Sequence, residues 1–148
     1  QAGINMQMGR YRDAEPLFLL SLDIRRKTVG ETDPAYARSL NNLAGLYRRM
    51  GSHTEAELLY QQALEIRRVT PGEDSLLYAR SLQNLASLYQ EMGRYREAEP
   101  LLHESLWIYR ANDRENTRPF AIALDNLARI HDALGESREV EPLIRQAL

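Results

Sequence analysis

An all-α fold, a right-handed α-solenoid of antiparallel helix pairs, is predicted by three features of the sequence. The stretch SLNNLAGLYRRMG from Ser39 to Gly51 returns as SLQNLASLYQEMG from Ser81 and as ALDNLARIHDALG from Ala123, at a constant spacing of 42 residues. Inside the first copy, Leu40, Leu43, Ala44 and Tyr47 fall at i, i+3, i+4 and i+7, the one-sided pattern of an amphipathic helix. A glycine closes each copy, at Gly51, Gly93 and Gly135, where a left-handed C-terminal residue would end the helix. A fixed period of this length marks a stack in which each unit buries its apolar face on its neighbours.

Taken in order, the chain divides into a truncated repeat over 1–32, complete repeats over 33–74 and 75–116, and a repeat over 117–148 that stops inside its second helix. Together these form a single array over 1–148. Residues 1–8 align with Leu43 to Met50, so they are expected to form the end of a first helix that turns at Gly9. Arg10 to Lys27 then reads as the second helix of that repeat. In the first complete unit, Asp33 is an N-cap before Pro34 at the first helical position, where the missing N–H costs nothing. After Gly51 the apolar pattern resumes at Ala56, Leu59, Tyr60, Ala63 and Leu64, giving an antiparallel partner. The next unit agrees with it at roughly half its positions. Arg118-Pro119 restarts the helix one residue out of register with Pro34. Thr70-Pro71-Gly72 and Asn112-Asp113 read as loops between repeats. Pro16, Pro100 and Pro142 share one register near the start of second helices, where a missing hydrogen bond is expected.

Composition narrows the function classes. The formal charge of −2 lacks the basic excess of a general nucleic-acid surface, so no nucleic-acid partner is expected. No apolar run approaches the roughly 20 residues of a membrane span, so no membrane partner is expected either. With no cysteine there is no disulfide or thiolate metal site, which is compatible with a cytoplasmic location. His53, His103 and His131 lie at unrelated positions of different helices, so neither a metal nor a cofactor is expected. No phosphate loop or nucleophile elbow is present, and the chain does not read as an enzyme.

The pattern Leu40…Leu43-Ala44…Tyr47…Gly51…Ala56…Tyr60…Ala63 resembles the tetratricopeptide (TPR) repeat, and Leu82…Leu85-Ala86…Tyr89…Gly93-Arg94-Tyr95…Ala98 matches it again. The 42-residue period, the NNLA, QNLA and DNLA forms at Asn42, Asn84 and Asn126, and the segment VGETDPAYA resemble the kinesin-light-chain type. That resemblance covers essentially the whole chain. It implies a TPR-like superhelix whose first helices line a concave groove for an extended or helical peptide. Half a turn away from the apolar stripe, the first unit carries Arg38, Asn42 and Arg49, flanked by Asn41 and Arg48. The second carries Arg80, Asn84 and Ser87, flanked by Gln83 and Gln90, and the third carries Ile122, Asn126 and Arg129, flanked by Asp125 and Asp132. By resemblance these are the peptide contacts.

Each candidate also has a plainer reading. The recurrent Asn is a mediocre mid-helix residue, and its amide either bonds a peptide backbone or bonds the neighbouring helix. The arginines either form a solvated face or capture carboxylates in bidentate pairs. Glu15, Glu57, Glu99 and Glu141 are expected in the first turns of second helices, facing the helix dipole. Trp107 falls on the outer face by periodicity, where it either anchors a partner or is covered by the loop near Ala111. Two functions remain open: an adaptor module that binds a short acidic peptide, and a structural or regulatory arm of a larger multidomain signalling protein. Apolar surface at the ends of the stack further predicts end-to-end self-association or fraying of residues 1–8.

Overall fold

The computed structural model describes residues 2–135, with side chains from residue 9 onward. Within them the chain forms six α-helices: α1 Ala2–Thr28, α2 Pro34–Met50, α3 His53–Arg67, α4 Leu76–Glu91, α5 Tyr95–Ala111 and α6 Arg118–Leu134. Among the described residues there is no strand, so the fold is an all-α helical repeat. None of these helices is long and apolar enough to cross a membrane. The second helix of the last repeat, with Glu141 and Pro142, lies outside the described residues. So do the side chains on which fraying of residues 1–8 would be judged.

The chain divides into two compact units, Gln1–Gly72 and Glu73–Leu148. In the first unit, Asp33 caps α2: its carboxylate accepts from the Ala35 N–H at 2.7 Å, and Pro34 takes the first helical position. Gly51 ends α2 with φ 79°, its N–H donating to the Arg48 carbonyl and that of Ser52 to the Tyr47 carbonyl. This closure lets α3 return antiparallel. Ala37, Leu40 and Ala63 form the buried seam, with Leu22, Tyr36, Leu59 and Ile66 packed against it. Alanine at positions 37 and 63 admits the close approach of helix backbones that a larger side chain would block.

The second unit repeats the device. Ser75 caps α4 by accepting from the Tyr78 N–H at 3.2 Å, and Gly93, with φ 72°, turns the chain into α5. Leu82, Leu102, Leu127 and Ile130 are each no more than 2% exposed and fill the interior of α4, α5 and α6. Tyr109 meets Phe120 edge to face at a centroid distance of 6.5 Å, joining α5 to α6. Pro100 lies inside α5 and Pro16 inside α1, and both helices continue through them.

One expectation fails. Gly9 does not turn the chain, and α1 runs unbroken for 27 residues from Ala2 to Thr28. In the 42-residue register the buried Leu43 and the half-buried Tyr47 correspond to Gln1 and Asn5, while the buried Ala44 and Leu46 correspond to Ala2 and Ile4. With two of those four seats polar, folding back would bury less apolar surface here than in the complete repeats.

Candidate functional site

The face opposite the α2 seam is basic. Arg38, Asn42 and Arg49 are exposed, and their spacing puts them within about 40° of one another around the helix. Arg48 is half-buried on the flank. Among the described residues, Arg38 and Arg49 make no ion pair. Asn41 behaves differently: it is 9% exposed, and its Nδ2 donates to the Ala37 carbonyl at 3.0 Å.

In the second unit the corresponding face is more mixed. Arg80 on α4 is exposed, while Asn84 and Ser87 are half-buried. Gln83 is 8% exposed, its Nε2 donating to Ser105 Oγ at 3.0 Å and to the Pro119 carbonyl at 3.1 Å. Ser105 Oγ in turn donates to the Ala79 carbonyl at 3.0 Å. Gln90 Nε2 donates to the Asn126 carbonyl at 2.8 Å. These two glutamines tie α4 to α6 seven residues apart, so their amides are spent on the scaffold. On α6, Arg129 is exposed and Asn126 half-buried, with Asp125 and Asp132 exposed beside them. Asn41 and Gln83, expected as peptide contacts, have almost no surface with which to meet one. Burial of their polar ends is tolerated because each end has a hydrogen-bond acceptor.

The recurrent glutamates also differ from expectation. The acids in the first turns of α3 and α5 are Glu55 and Glu97, and Glu15 lies in the middle of α1. A helix dipole therefore does not explain Glu15, Glu57 or Glu99. Glu15 instead accepts a hydrogen bond from Tyr47 Oη at 2.8 Å. Burial, and after it this bond and the carboxylate charges of Glu15 and Glu55, push the Tyr47 phenol up to about 12. In the second unit the equivalent tyrosine position is His131, which is 2% exposed. Its Nε2 lies 3.7 Å from Glu99 Oε1, and His103 Nε2 lies 3.8 Å from the same oxygen. His103 and His131, unrelated in sequence, are thus brought together. The Glu99-x3-His103 spacing and the replacement of Tyr47 and Tyr89 by His131 were the available signals.

Trp107 is 61% exposed and has no cover from the Ala111 loop. That loop is drawn elsewhere: Asn112 Nδ2 donates to the Asp74 carbonyl at 3.0 Å and to the Ile108 carbonyl at 2.9 Å, and Asp113 turns with φ 55°. A 340 Å³ open pocket in the first unit is lined by Glu31, Tyr36, Leu40, Gln62, Glu65 and Ile66, none of them on the basic face.

Paired antiparallel helices, αL glycines at the turns and small residues at the seams define a helical repeat protein that works as an interaction scaffold. Tetratricopeptide repeat family models match residues 1–68, 40–111 and 123–148, and the chain belongs to that family. No curated protein sequence matches it significantly. Among solved structures, BtubC (BKLC) from P. vanneervenii is similar at TM-score 0.81 and 25% identity, over 94% of this chain and 56% of that one. The nearly identical TPR-like repeats of a Podosopora anserina protein described as a kinesin light chain are similar at TM-score 0.84 and 28% identity. That match covers 95% of this chain and 67% of the other. A single-residue variant of the same Podosopora anserina repeats gives TM-score 0.84 at 27% identity, over 95% of this chain and 66% of that one. The repeats are therefore of the kinesin-light-chain type, and the chain spans about half to two thirds of the length of the structures it matches. TPR folds are in general non-catalytic scaffolds for protein partners.

Proposed function

We propose that residues 1–148 form one TPR array acting as a cytoplasmic adaptor module, whose first-helix faces receive a short acidic peptide. The observation that carries this reading is the exposed trio Arg38, Asn42 and Arg49 on one face of α2. Two guanidiniums bracketing an amide suit a segment with spaced carboxylates, and the amide can bond its backbone. In the second unit Arg80 and Arg129, with Asn84, Ser87 and Asn126 beside them, are the candidate contacts on α4 and α6, whereas Asp125 and Asp132 oppose an acidic ligand there. The acidic part of the peptide therefore belongs over Arg38 and Arg49, with Arg48 at the margin.

Selection from a peptide library should enrich acidic segments, with affinity that falls as salt is added. Arg38→Glu combined with Arg49→Glu should weaken a selected acidic peptide by about five- to thirty-fold, equivalent to about 1–2 kcal/mol, with helicity unchanged. Asn42→Ala should weaken acidic and neutral peptides alike. Unchanged affinity in the double reversal would remove the basis of this assignment.

A further inference from the structure

We propose that Glu99, His103 and His131 form a binding site for a divalent transition ion, with Zn²⁺ as the ion the donor set fits best. Glu99 and His103 stand four residues apart on one face of α5, and His131 reaches the same point from α6. Both Nε2 atoms approach one carboxylate oxygen, at 3.7 and 3.8 Å, and the three ligand atoms lie within 4.8 Å of one another. Those separations are too long for hydrogen bonds, which would close to about 3 Å. The two nitrogen–oxygen distances are close to the roughly 3.4 Å between tetrahedral ligands that bonds of about 2.0–2.1 Å to zinc impose. Small side-chain rotations about Glu99 and the exposed His103 bring the set into register around an ion.

The repeat itself provides the contrast. At the same register the first unit holds Glu15, Leu19 and Tyr47, and there the phenol reaches the carboxylate directly at 2.8 Å. In the second unit both non-acidic positions are histidine, and the shorter imidazole stops short of the acid. Two nitrogens and one oxygen leave a fourth position for water and favour zinc over the oxygen-seeking Ca²⁺ or Mg²⁺. The 3% exposure of the His131 side chain anchors the ion inside the α5–α6 joint, and His103, at 45%, opens it to solvent. A bound ion would clamp α5 to α6, so the rigidity of this part of the scaffold would follow zinc supply.

The test titrates ZnCl₂ into the chelator-treated chain by calorimetry and follows thermal unfolding alongside. One equivalent should bind, and the unfolding temperature should rise with zinc concentration. His131→Tyr and His103→Leu install the residues the first unit carries at these positions, so both should fold, with unaltered circular dichroism. Each should weaken zinc by more than the roughly 10- to 100-fold that loss of an outer-shell partner costs a metal site. His53→Ala should leave binding unchanged. Absence of one-equivalent binding at micromolar zinc, or equal binding by the wild type and both variants, overturns the proposal.

Discussion

Glu15 in the first unit and Glu99 in the second hold the same place in the repeat, and the helices around them differ in what they ask of it. Glu15 receives a phenol from α2 at 2.8 Å, while Leu19, one turn along α1, is 44% exposed. Glu99 faces two imidazoles, one from its own helix and one from α6. The joints beside these acids differ as well. Arg25 Nη1 of α1 donates to Ser39 Oγ at 2.6 Å and to the Ala35 carbonyl at 3.2 Å, whereas Tyr109, in the same register on α5, packs its ring on Phe120. A repeat thus keeps its backbone geometry with either a polar or an aromatic joint, because the small residues and αL glycines set the helix pairing. The positions that bridge successive helices are left open to new chemistry.

The largest expected difference between the units lies in the isoleucines of one register. Ile108 is 1% exposed on α5, which is packed by α4 on one side and α6 on the other. Ile24 is 50% exposed on α1, which is packed chiefly by α2. Ile108→Ala should therefore cost about 2–5 kcal/mol through the cavity it leaves, and Ile24→Ala less than about 1 kcal/mol. Denaturant unfolding measures both. Equal costs would mean that α1 is as firmly enclosed as α5.

A smaller effect isolates the acid. Tyr47→Phe removes the bond to Glu15 and should cost about 1–2 kcal/mol. His131→Tyr should rebuild that bond to Glu99 and raise stability by about 1 kcal/mol in metal-free buffer. Alkaline pH provides an independent reading. The native phenol of Tyr47 holds its proton up to about 12, while in the unfolded chain it releases it near 10. Between these values the unfolded state binds fewer protons, so stability falls as pH rises from about 10 towards 12. Tyr47→Phe should flatten that decline, and a decline of the same steepness in the variant would place its origin elsewhere.

Much of this was legible in the residues. Gly51, Gly93 and Gly135 take φ values of 79°, 72° and 74° where the pattern required a left-handed turn, and Asp33 caps α2 as its position before Pro34 implies. Gly9 shows where a local signal fails: α1 runs through the glycine, with Gln1 and Asn5 polar at the seats of Leu43 and Tyr47. The angular argument that placed Asn41 and Gln83 on the flank also reached its limit. A residue at the edge of the apolar arc is exposed or buried according to its neighbours, and Ser105 and Pro119 offer the acceptors that draw Gln83 inward. Glu99, His103 and His131 were hidden for a third reason. Their meeting joins the second helix of one repeat to the first helix of the next, a pairing that spacing within either helix does not display.

The smallest effect concerns how the two units begin a helix after an inter-repeat loop. Asp33, with extended backbone at φ −77° and ψ 138°, caps α2 through the Ala35 N–H at the second helical position. Thr117 is equally extended, at φ −116° and ψ 150°, yet its Oγ1 donates back to the Arg114 carbonyl at 2.6 Å and caps nothing. The one-residue shift of the proline leaves Thr117 only the third-position N–H, the one Ser75 uses at α4, and the Thr117 hydroxyl is turned to Arg114 instead. Pro34 occupies the first helical position and leaves the second N–H available, whereas Pro119 occupies the second position and removes it. Asp33→Ala should accordingly cost about 1 kcal/mol. Thr117→Asp can recruit only the Phe120 N–H, so its gain should stay below about 0.5 kcal/mol, rising when Pro119→Ala restores the missing donor. Thermal unfolding of the three variants tests the comparison. If Thr117→Asp alone stabilises as much as Asp33→Ala destabilises, the position of the proline is not what separates the two caps.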